Sequence, residues 1–104
     1  MKARHVPGIA QIMGISDDAE YSAAYAKLER GDFDVETATN GQRLFWFVCP
    51  GPCKSLAPLH LRPLVGAATQ SWVFDGNMAA PTLNPSINHV GCWHGWLRAG
   101  EFVV

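Results

Sequence analysis

The chain has 104 residues, of which 48% are hydrophobic, and its formal net charge is -1. This length suits one compact domain and is too short for two independent hydrophobic cores, so we expect a single domain over residues 1–104. Four basic residues stand against seven acidic ones in residues 1–42, and four against two in residues 43–104. Phosphate neutralisation needs a denser basic patch, so a nucleic-acid partner is not favoured.

The sequence contains no run of about 20 apolar residues that would span a bilayer. The first residues also lack the long apolar stretch of a secretory signal. We therefore expect no membrane association and a cytoplasmic protein. Three cysteines cannot all pair within one chain, and a reducing cytoplasm disfavours disulfides. The cysteines are therefore expected to have another use.

The first predicted elements are an arm and a helix. Residues 1–15 are punctuated by proline and glycine, which favours an extended arm. Residues 16–30 predict a helix, with Ser16 or Asp17 as its N-cap and Gly31 at its end. The apolar positions of this helix lie on one face at i, i+3, i+4 and i+7: Tyr21, Ala24, Tyr25 and Leu28. That face is expected to pack on the rest of the domain.

From residue 43 the chain consists of short β-rich runs separated by proline and glycine. The predicted β elements are residues 44–48, 71–74 and 86–90, and a closing hairpin over 96–103. Pro81 and Pro85 predict an irregular loop or a broken edge strand between them, because proline cannot donate to a ladder. The expected fold class is α+β, a small β-rich domain with one N-terminal helix, in which residues 43–104 form a metal-binding core.

Two pairs of residues have the spacing of metal ligands. Cys49 and Cys53 follow a predicted strand, and the proline and glycine residues between them favour a tight reversal. Farther along, Cys92 and His94 lie between two glycines that allow a sharp backbone turn. Three thiolates and one imidazole would complete a tetrahedron, so this pattern is typical of a structural zinc-knuckle-like site that joins two loops.

Spacing alone leaves other interpretations open. The three cysteines could be ordinary buried core residues, because free cysteine is among the most buried residue types. A redox dithiol is less favoured, since that chemistry prefers two intervening residues at a helix N-terminus. His60 and His89 lie near the proposed ligands in sequence, and either could replace one of them. A site richer in nitrogen would favour catalysis over a structural role.

Several segments are specific enough to indicate a family. They are Trp72-Val73-Phe74-Asp75-Gly76-Asn77, Ala80-Pro81-Thr82-Leu83-Asn84-Pro85-Ser86 and Gly91-Cys92-Trp93-His94-Gly95-Trp96. Over about residues 31–103, the chain resembles a family of small phage and prophage proteins of unknown function, often given the product name "ammonia monooxygenase". The resemblance implies a phage-associated gene and metal binding at Cys49, Cys53, Cys92 and His94.

The product name conflicts with the chemistry of the chain. The ammonia-oxidising enzyme is a membrane copper complex, whereas this sequence has no transmembrane run. Thiolate-rich ligation also suits zinc better than oxygen-activating copper. We therefore expect a phage- or prophage-associated zinc-binding accessory protein, not an enzyme, that acts on an unknown host or phage protein in the host-cell cytoplasm.

Two alternatives remain open. A small metal-dependent hydrolase would need a nucleophile or general base beside the metal, and Ser86, His89 or Asp75 could line such a cleft. None of these residues lies in a recognised hydrolase motif. A minor virion component is the second alternative.

The candidate interface residues are Trp93, Trp96 and Asn77. Their side chains are hard to explain as core alone, and exposed tryptophans are common at binding surfaces. The two tryptophans could instead wall off the metal site.

Overall fold

The chain forms two sheets that enclose a shared apolar core. The computed structural model describes residues 1–67 and 69–104. The strands are β1 (Arg4–His5), β2 (Asp32–Thr37), β3 (Arg43–Val48), β4 (Leu56–His60), β5 (Val73–Phe74), β6 (Leu83–His89), β7 (Trp93–Arg98) and β8 (Glu101–Val103). A 3-10 helix (Ile9–Gly14) and an α-helix, α1 (Asp18–Ala26), separate β1 from β2. Within the described residues the sheet orders are β1-β2-β3-β4 and β5-β6-β7-β8, so the expected α+β class is confirmed.

The first sheet is built around β3, at the position predicted for a central strand. β3 pairs antiparallel with both β2 and β4. Phe45 and Phe47 alternate with Trp46 along the strand, so the two phenylalanines face the inter-sheet core and are at most 1% exposed. Phe45 stacks on Phe33 of β2, with ring centroids 5.1 Å apart. Trp46 lies on the opposite face, against the cluster around Ile9.

Residues 1–15 are bound to the core and do not form the expected extended arm. β1 pairs in parallel with β2, and the Ala3 amide donates to the Gly100 carbonyl at 2.8 Å. Arg4 donates from Nε and Nη2 to the two carboxylate oxygens of the buried Asp32, at 2.8 and 2.9 Å. These hydrogen bonds raise the pKa of Arg4. The short β1 segment is therefore held by tertiary partners that its own sequence does not indicate.

Helix α1 begins where predicted and ends earlier than residue 30. Asp17 is the N-cap, since its Oδ1 accepts from the Glu20 amide at 2.9 Å. The Glu29 amide donates to the Asp32 side chain and the Gly31 amide to the Val48 carbonyl, both at 2.9 Å. These amides have partners outside the helix, so the helix ends at Ala26. Among the described residues, no helix is both long enough and apolar enough to cross a membrane.

The second sheet contains the predicted closing hairpin and one irregular strand. β7 and β8 are joined by Ala99 and Gly100, both with positive φ. Where a loop or a broken edge strand was expected around Pro85, the chain forms β6. Leu83 of β6 pairs with Leu97 of β7, and Ile87 pairs with Gly95. β6 therefore advances four positions while β7 advances two, and this bulge contains Ser86.

Candidate functional site

Four ligand-type side chains meet where the two sheets approach each other. The Sγ atoms of Cys49, Cys53 and Cys92 and a ring nitrogen of His89 all lie within 4.8 Å of one another. Cys49 follows β3 directly, and His89 ends β6. The Cys92 amide donates to the His89 carbonyl at 2.9 Å, so the turn after β6 places these two ligands side by side. This group could hold a metal ion.

Two of the distances within the cluster match those of a tetrahedral site. The Sγ atoms of Cys49 and Cys92 are 3.6 Å apart, and Cys53 Sγ is 3.7 Å from His89 Nδ1. An ion about 2.3 Å from sulfur and about 2.0 Å from nitrogen separates its tetrahedral ligand atoms by about 3.6 to 3.8 Å. The Sγ atoms of Cys53 and Cys92 are also in disulfide contact. A disulfide would use two of the four residues, whereas one ion would use all four.

Two backbone amides donate to sulfur atoms of the cluster. The Gly51 amide donates to Cys49 Sγ at 3.4 Å, and the Cys53 amide donates to Cys92 Sγ at 3.2 Å. A β-carbon on Gly51 would lie 2.6 Å from the Cys92 sulfur. Glycine is therefore required at this position for the two segments to approach so closely.

The structure assembles a different histidine from the one expected. Cys49, Cys53 and Cys92 come together as the sequence indicated, but the imidazole beside them belongs to His89. His94 lies within β7, opposite Asn88, and it is outside the Cys49, Cys53, His89 and Cys92 group. The physical reason is the hairpin turn, which places the end of β6 next to Cys92 and leaves His94 to the strand that follows.

His94 instead contacts a serine. Its Nε2 lies 3.3 Å from the Oγ of Ser86, on the neighbouring strand. Ser86 is half-buried and His94 is exposed. The His94 ring stacks on Trp96, with centroids 5.8 Å apart. Among the described hydrogen bonds, none joins a carboxylate to His94, so the arrangement is a serine–histidine pair without an acidic third member.

The bulge in β6 determines where Ser86 lies. Without the extra residues, regular pairing from Leu83 would place Ser86 opposite His94, whereas the observed register places Asn88 there. The bulge thus displaces Ser86 by two positions along β6 from the residue that faces His94. The imidazole of His94 therefore reaches Ser86 diagonally across the two strands. Trp72, which is not part of the β6–β7 hairpin, holds β6 at this position, because its indole Nε1 donates to the Ser86 carbonyl at 3.2 Å. Bulges often redirect side chains beside active sites.

Ser86 lines a cleft of about 520 Å³. The walls are formed by Arg62, Thr69, Gln70, Ser71, Trp72, Pro85, Ser86, Asn88 and Val90. The only charged residue among them is Arg62, and most of the others carry hydrogen-bonding groups. On the other side of Trp72, a cavity of about 380 Å³ with a more apolar lining reaches His60 and His89.

The remaining candidates have structural partners. Asp75 Oδ1 accepts from the amides of Asn77 and Thr82 at 3.0 and 3.2 Å. Asn77 Oδ1 accepts hydrogen bonds from the backbone amides of Ala79 and Ala80, both at 3.0 Å. Trp93 packs edge-on against the core residue Phe102. An interface role for Trp93, Trp96 and Asn77 stays a prediction.

The comparison with protein families identifies the chain. A family model described as "Bacterial ubiquitination-like system serine protease (BubE)" matches residues 20–104. The chain belongs to the BubE family. Neither the curated proteins nor the solved structures gave a significant match. The BubE match covers β2 to β8 and therefore both the Ser86–His94 pair and the cysteine cluster.

The BubE assignment corrects the functional expectation. A non-enzymatic phage accessory protein was predicted, with a metal-dependent hydrolase or a virion component as alternatives. That prediction is wrong, because the family is described as a serine protease of a bacterial ubiquitination-like system. The expected resemblance was to small phage and prophage proteins, whereas the match shows a bacterial protein family and carries no indication of phage origin.

Sequence reasoning named Ser86 without recognising its partner. The segment ending in Asn84-Pro85-Ser86 contributes to the family resemblance, and the sequence predicts Ser86 only as a residue that could line a metal-dependent cleft. It predicts His94 as a ligand of that metal. Two residues eight positions apart on unassigned strands give no spacing signal, because the pair depends on strand register and on the bulge in β6.

Proposed function

We propose that this BubE-family protein is a serine peptidase in which Ser86 is the nucleophile and His94 the general base. The observation that carries the proposal is the 3.3 Å contact between Ser86 Oγ and His94 Nε2, and Ser86 also lines a polar cleft. A hydroxyl is a weak nucleophile until an adjacent base accepts its proton. In free enzymes this contact is often longer than in the substrate complex. The family description supports the same chemistry.

The reaction follows from these two side chains. The scissile carbonyl binds in the cleft, Ser86 Oγ attacks its carbon, and the hydroxyl proton passes to His94 Nε2. The imidazolium then donates that proton to the leaving group, which leaves an acyl group on Ser86. His94 then accepts a proton from water as the water oxygen attacks the acyl carbon, and the imidazolium returns this proton to Ser86 Oγ when the acyl–oxygen bond breaks and the carboxylic acid product leaves. Trp96, stacked on His94, limits rotation of the imidazole between these steps.

Covalent labelling tests the nucleophile directly. A fluorophosphonate probe should phosphonylate the purified protein, and mass spectrometry of the digested protein should place the adduct on Ser86. Ser86→Ala should abolish labelling, and His94→Ala should slow it by about 10²- to 10⁴-fold, the usual contribution of a general base. Ser22, an exposed serine of α1, provides the matched control, since Ser22→Ala should label at the wild-type rate. An adduct on Ser71, in the same cleft, would contradict the assignment.

We also infer that the Cys49, Cys53, His89 and Cys92 group holds zinc in a structural role. Three thiolates and one imidazole form a closed ligand set that matches structural zinc sites. Soft sulfur ligands favour zinc over magnesium, calcium or manganese. The proposal requires reduced cysteines, which supports a cytoplasmic location. Ser86 and His94 lie outside this ligand set, so the peptidase chemistry does not need the metal as a reactant.

Elemental analysis tests the metal assignment. Protein purified under reducing conditions should contain about one zinc per chain, and all three thiols should resist alkylation until a chelator is added. Recovery of a metal-free protein with a Cys53–Cys92 disulfide under those conditions would contradict the zinc proposal.

A further inference from the structure

Arg62 is the only charged residue that lines the Ser86 cleft among the described residues. Among the residues that the structure describes, no aspartate or glutamate lines this cleft, so the described wall carries positive charge alone. In the described part of the chain, the salt bridges of arginine are formed by Arg4, and none involves Arg62. A guanidinium without a protein carboxylate beside a proposed catalytic serine has its charge available to a ligand.

Two hydrogen bonds hold Arg62 in place. Its Nε donates to Ser71 Oγ at 2.8 Å, and its backbone amide donates to the Trp72 carbonyl at 2.9 Å. With Nε engaged, the edge formed by Nη1 and Nη2 has no described protein acceptor. That edge can bind a carboxylate through two parallel hydrogen bonds, as the Nε–Nη2 edge of Arg4 does with Asp32.

Trp72 connects Arg62 to the nucleophile. Its backbone carbonyl accepts from Arg62, while its indole Nε1 donates to the carbonyl of Ser86 at 3.2 Å. Its own amide donates to the His60 carbonyl at 2.9 Å, which ties the same residue to β4. The backbone of Trp72 therefore binds the backbone of Arg62, and its side chain binds the backbone of Ser86, so that both residues line one cleft around Trp72.

We propose that Arg62 selects substrates that carry a carboxylate next to the bond cleaved at Ser86. This inference rests on the proposed peptidase function and adds the class of substrate. The carboxylate has two sources: the side chain of an acidic residue beside the scissile bond, or the C-terminus of a chain cleaved close to its end. Both present the same planar group to the Nη1–Nη2 edge, and the cleft volume of about 520 Å³ accommodates a short peptide segment.

Binding to the inactive Ser86→Ala variant tests the inference without requiring turnover. The probes are alanine-based peptides of equal length: one with a central Glu and an amidated C-terminus, one with a central Gln and a free C-terminus, and a neutral one with Gln and an amide. In ¹⁵N NMR titrations, the Arg62 Nε–Hε signal should shift with a carboxylate peptide, at about tenfold lower concentration than with the neutral peptide. Whichever carboxylate peptide binds more tightly identifies the source.

Charge reversal distinguishes recognition from a general effect on the fold. In the Ser86→Ala background, Arg62→Ala should remove the preference for carboxylate peptides, and Arg62→Glu should transfer it to a peptide with a central Lys. Arg43→Ala is the matched control, because Arg43 is an exposed arginine of β3 outside the cleft, and it should keep the wild-type preference. Raising the salt concentration should reduce the preference, since exposed charges are screened.

The outcomes separate the two proposals. Equal binding of all three peptides, or a carboxylate preference that survives Arg62→Ala, would overturn the role of Arg62 even if Ser86 reacts with a fluorophosphonate. Conversely, a protein that binds carboxylate peptides through Arg62 but shows no reaction at Ser86 would refute the peptidase proposal and leave the recognition site intact.

Discussion

His89 and His94 lie on the two strands of one hairpin and belong to different sites. His89 ends β6 and places Nδ1 3.7 Å from Cys53 Sγ, whereas His94 in β7 places Nε2 3.3 Å from Ser86 Oγ. Cys92 lies between them in the turn. The hairpin thus contributes both to the cysteine cluster and to the proposed catalytic pair, and the two histidines should have separable effects.

Substitution of the two histidines should give opposite patterns. His89→Ala should lower the bound zinc and the melting temperature, because it removes one of the four ligands and a structural site contributes to folding. His94→Ala should keep the zinc and the melting temperature but lose about 10²- to 10⁴-fold in reactivity at Ser86. Elemental analysis, thermal melts and fluorophosphonate labelling measure the three quantities. Loss of zinc in His94→Ala, together with normal zinc in His89→Ala, would contradict the assignment of His89 and would show that His94 is the fourth ligand, as expected from the sequence.

Gly51 should be intolerant of even one added methyl group. Gly51→Ala places a β-carbon 2.6 Å from Cys92 Sγ and 3.0 Å from the Cys92 carbonyl oxygen. We expect a destabilisation of about 1–3 kcal/mol, as for other overpacked sites, and weaker metal retention. Gly14→Ala is the control, since no atom lies within 4 Å of its added β-carbon. Urea denaturation of the two variants measures the difference, and equal stability would mean that the Cys49–Cys53 loop moves freely away from Cys92.

Trp96 should affect catalysis through His94. Its ring stacks on the imidazole at 5.8 Å, and the Arg98 guanidinium lies 5.0 Å from the Trp96 ring centroid on the same strand. Trp96→Ala should lower the maximal rate of labelling at Ser86 by about ten- to a hundredfold, because the imidazole loses its orientation. Trp96→Phe keeps an aromatic surface and should recover most of the rate. An unchanged rate in Trp96→Ala, together with loss of a binding partner, would favour the interface role predicted for this residue.

Metal removal should weaken the proposed peptidase indirectly. His89 and Cys92 flank the turn between the strands that carry Ser86 and His94. Loss of the metal ion that they are proposed to share should therefore loosen the pairing of these two strands. Chelation should lower the melting temperature and slow the labelling of Ser86, and added zinc should restore both. Amide signals of the hairpin, followed by NMR, give a readout independent of reactivity. Full labelling in a metal-free protein with a broadened hairpin spectrum would show that the pair does not depend on the cluster.

Elements with strong local patterns were predicted correctly. The aromatic run of β3 alternates between two faces, and the turn at Ala99-Gly100 closes the hairpin that its glycine indicated. The Asp17 cap likewise marks the start of α1. Elements that depend on distant partners were missed. β2 and β4 were not predicted: β2 contains acidic residues, and β4 contains Pro58, which lies in the outermost strand of its sheet.

By itself, the sequence determined the α+β class and indicated that Cys49, Cys53 and Cys92 would meet beside a histidine, because tight loops and apolar alternation are local properties of the chain. Only the tertiary structure decided that His89 completes the cluster and that His94 faces Ser86. The register of β6 against β7 fixes both outcomes, and that register contains a bulge whose position depends on how Leu83, Ile87 and Leu97 pack in the core. Such packing is a property of both sheets together, and no spacing within one segment encodes it.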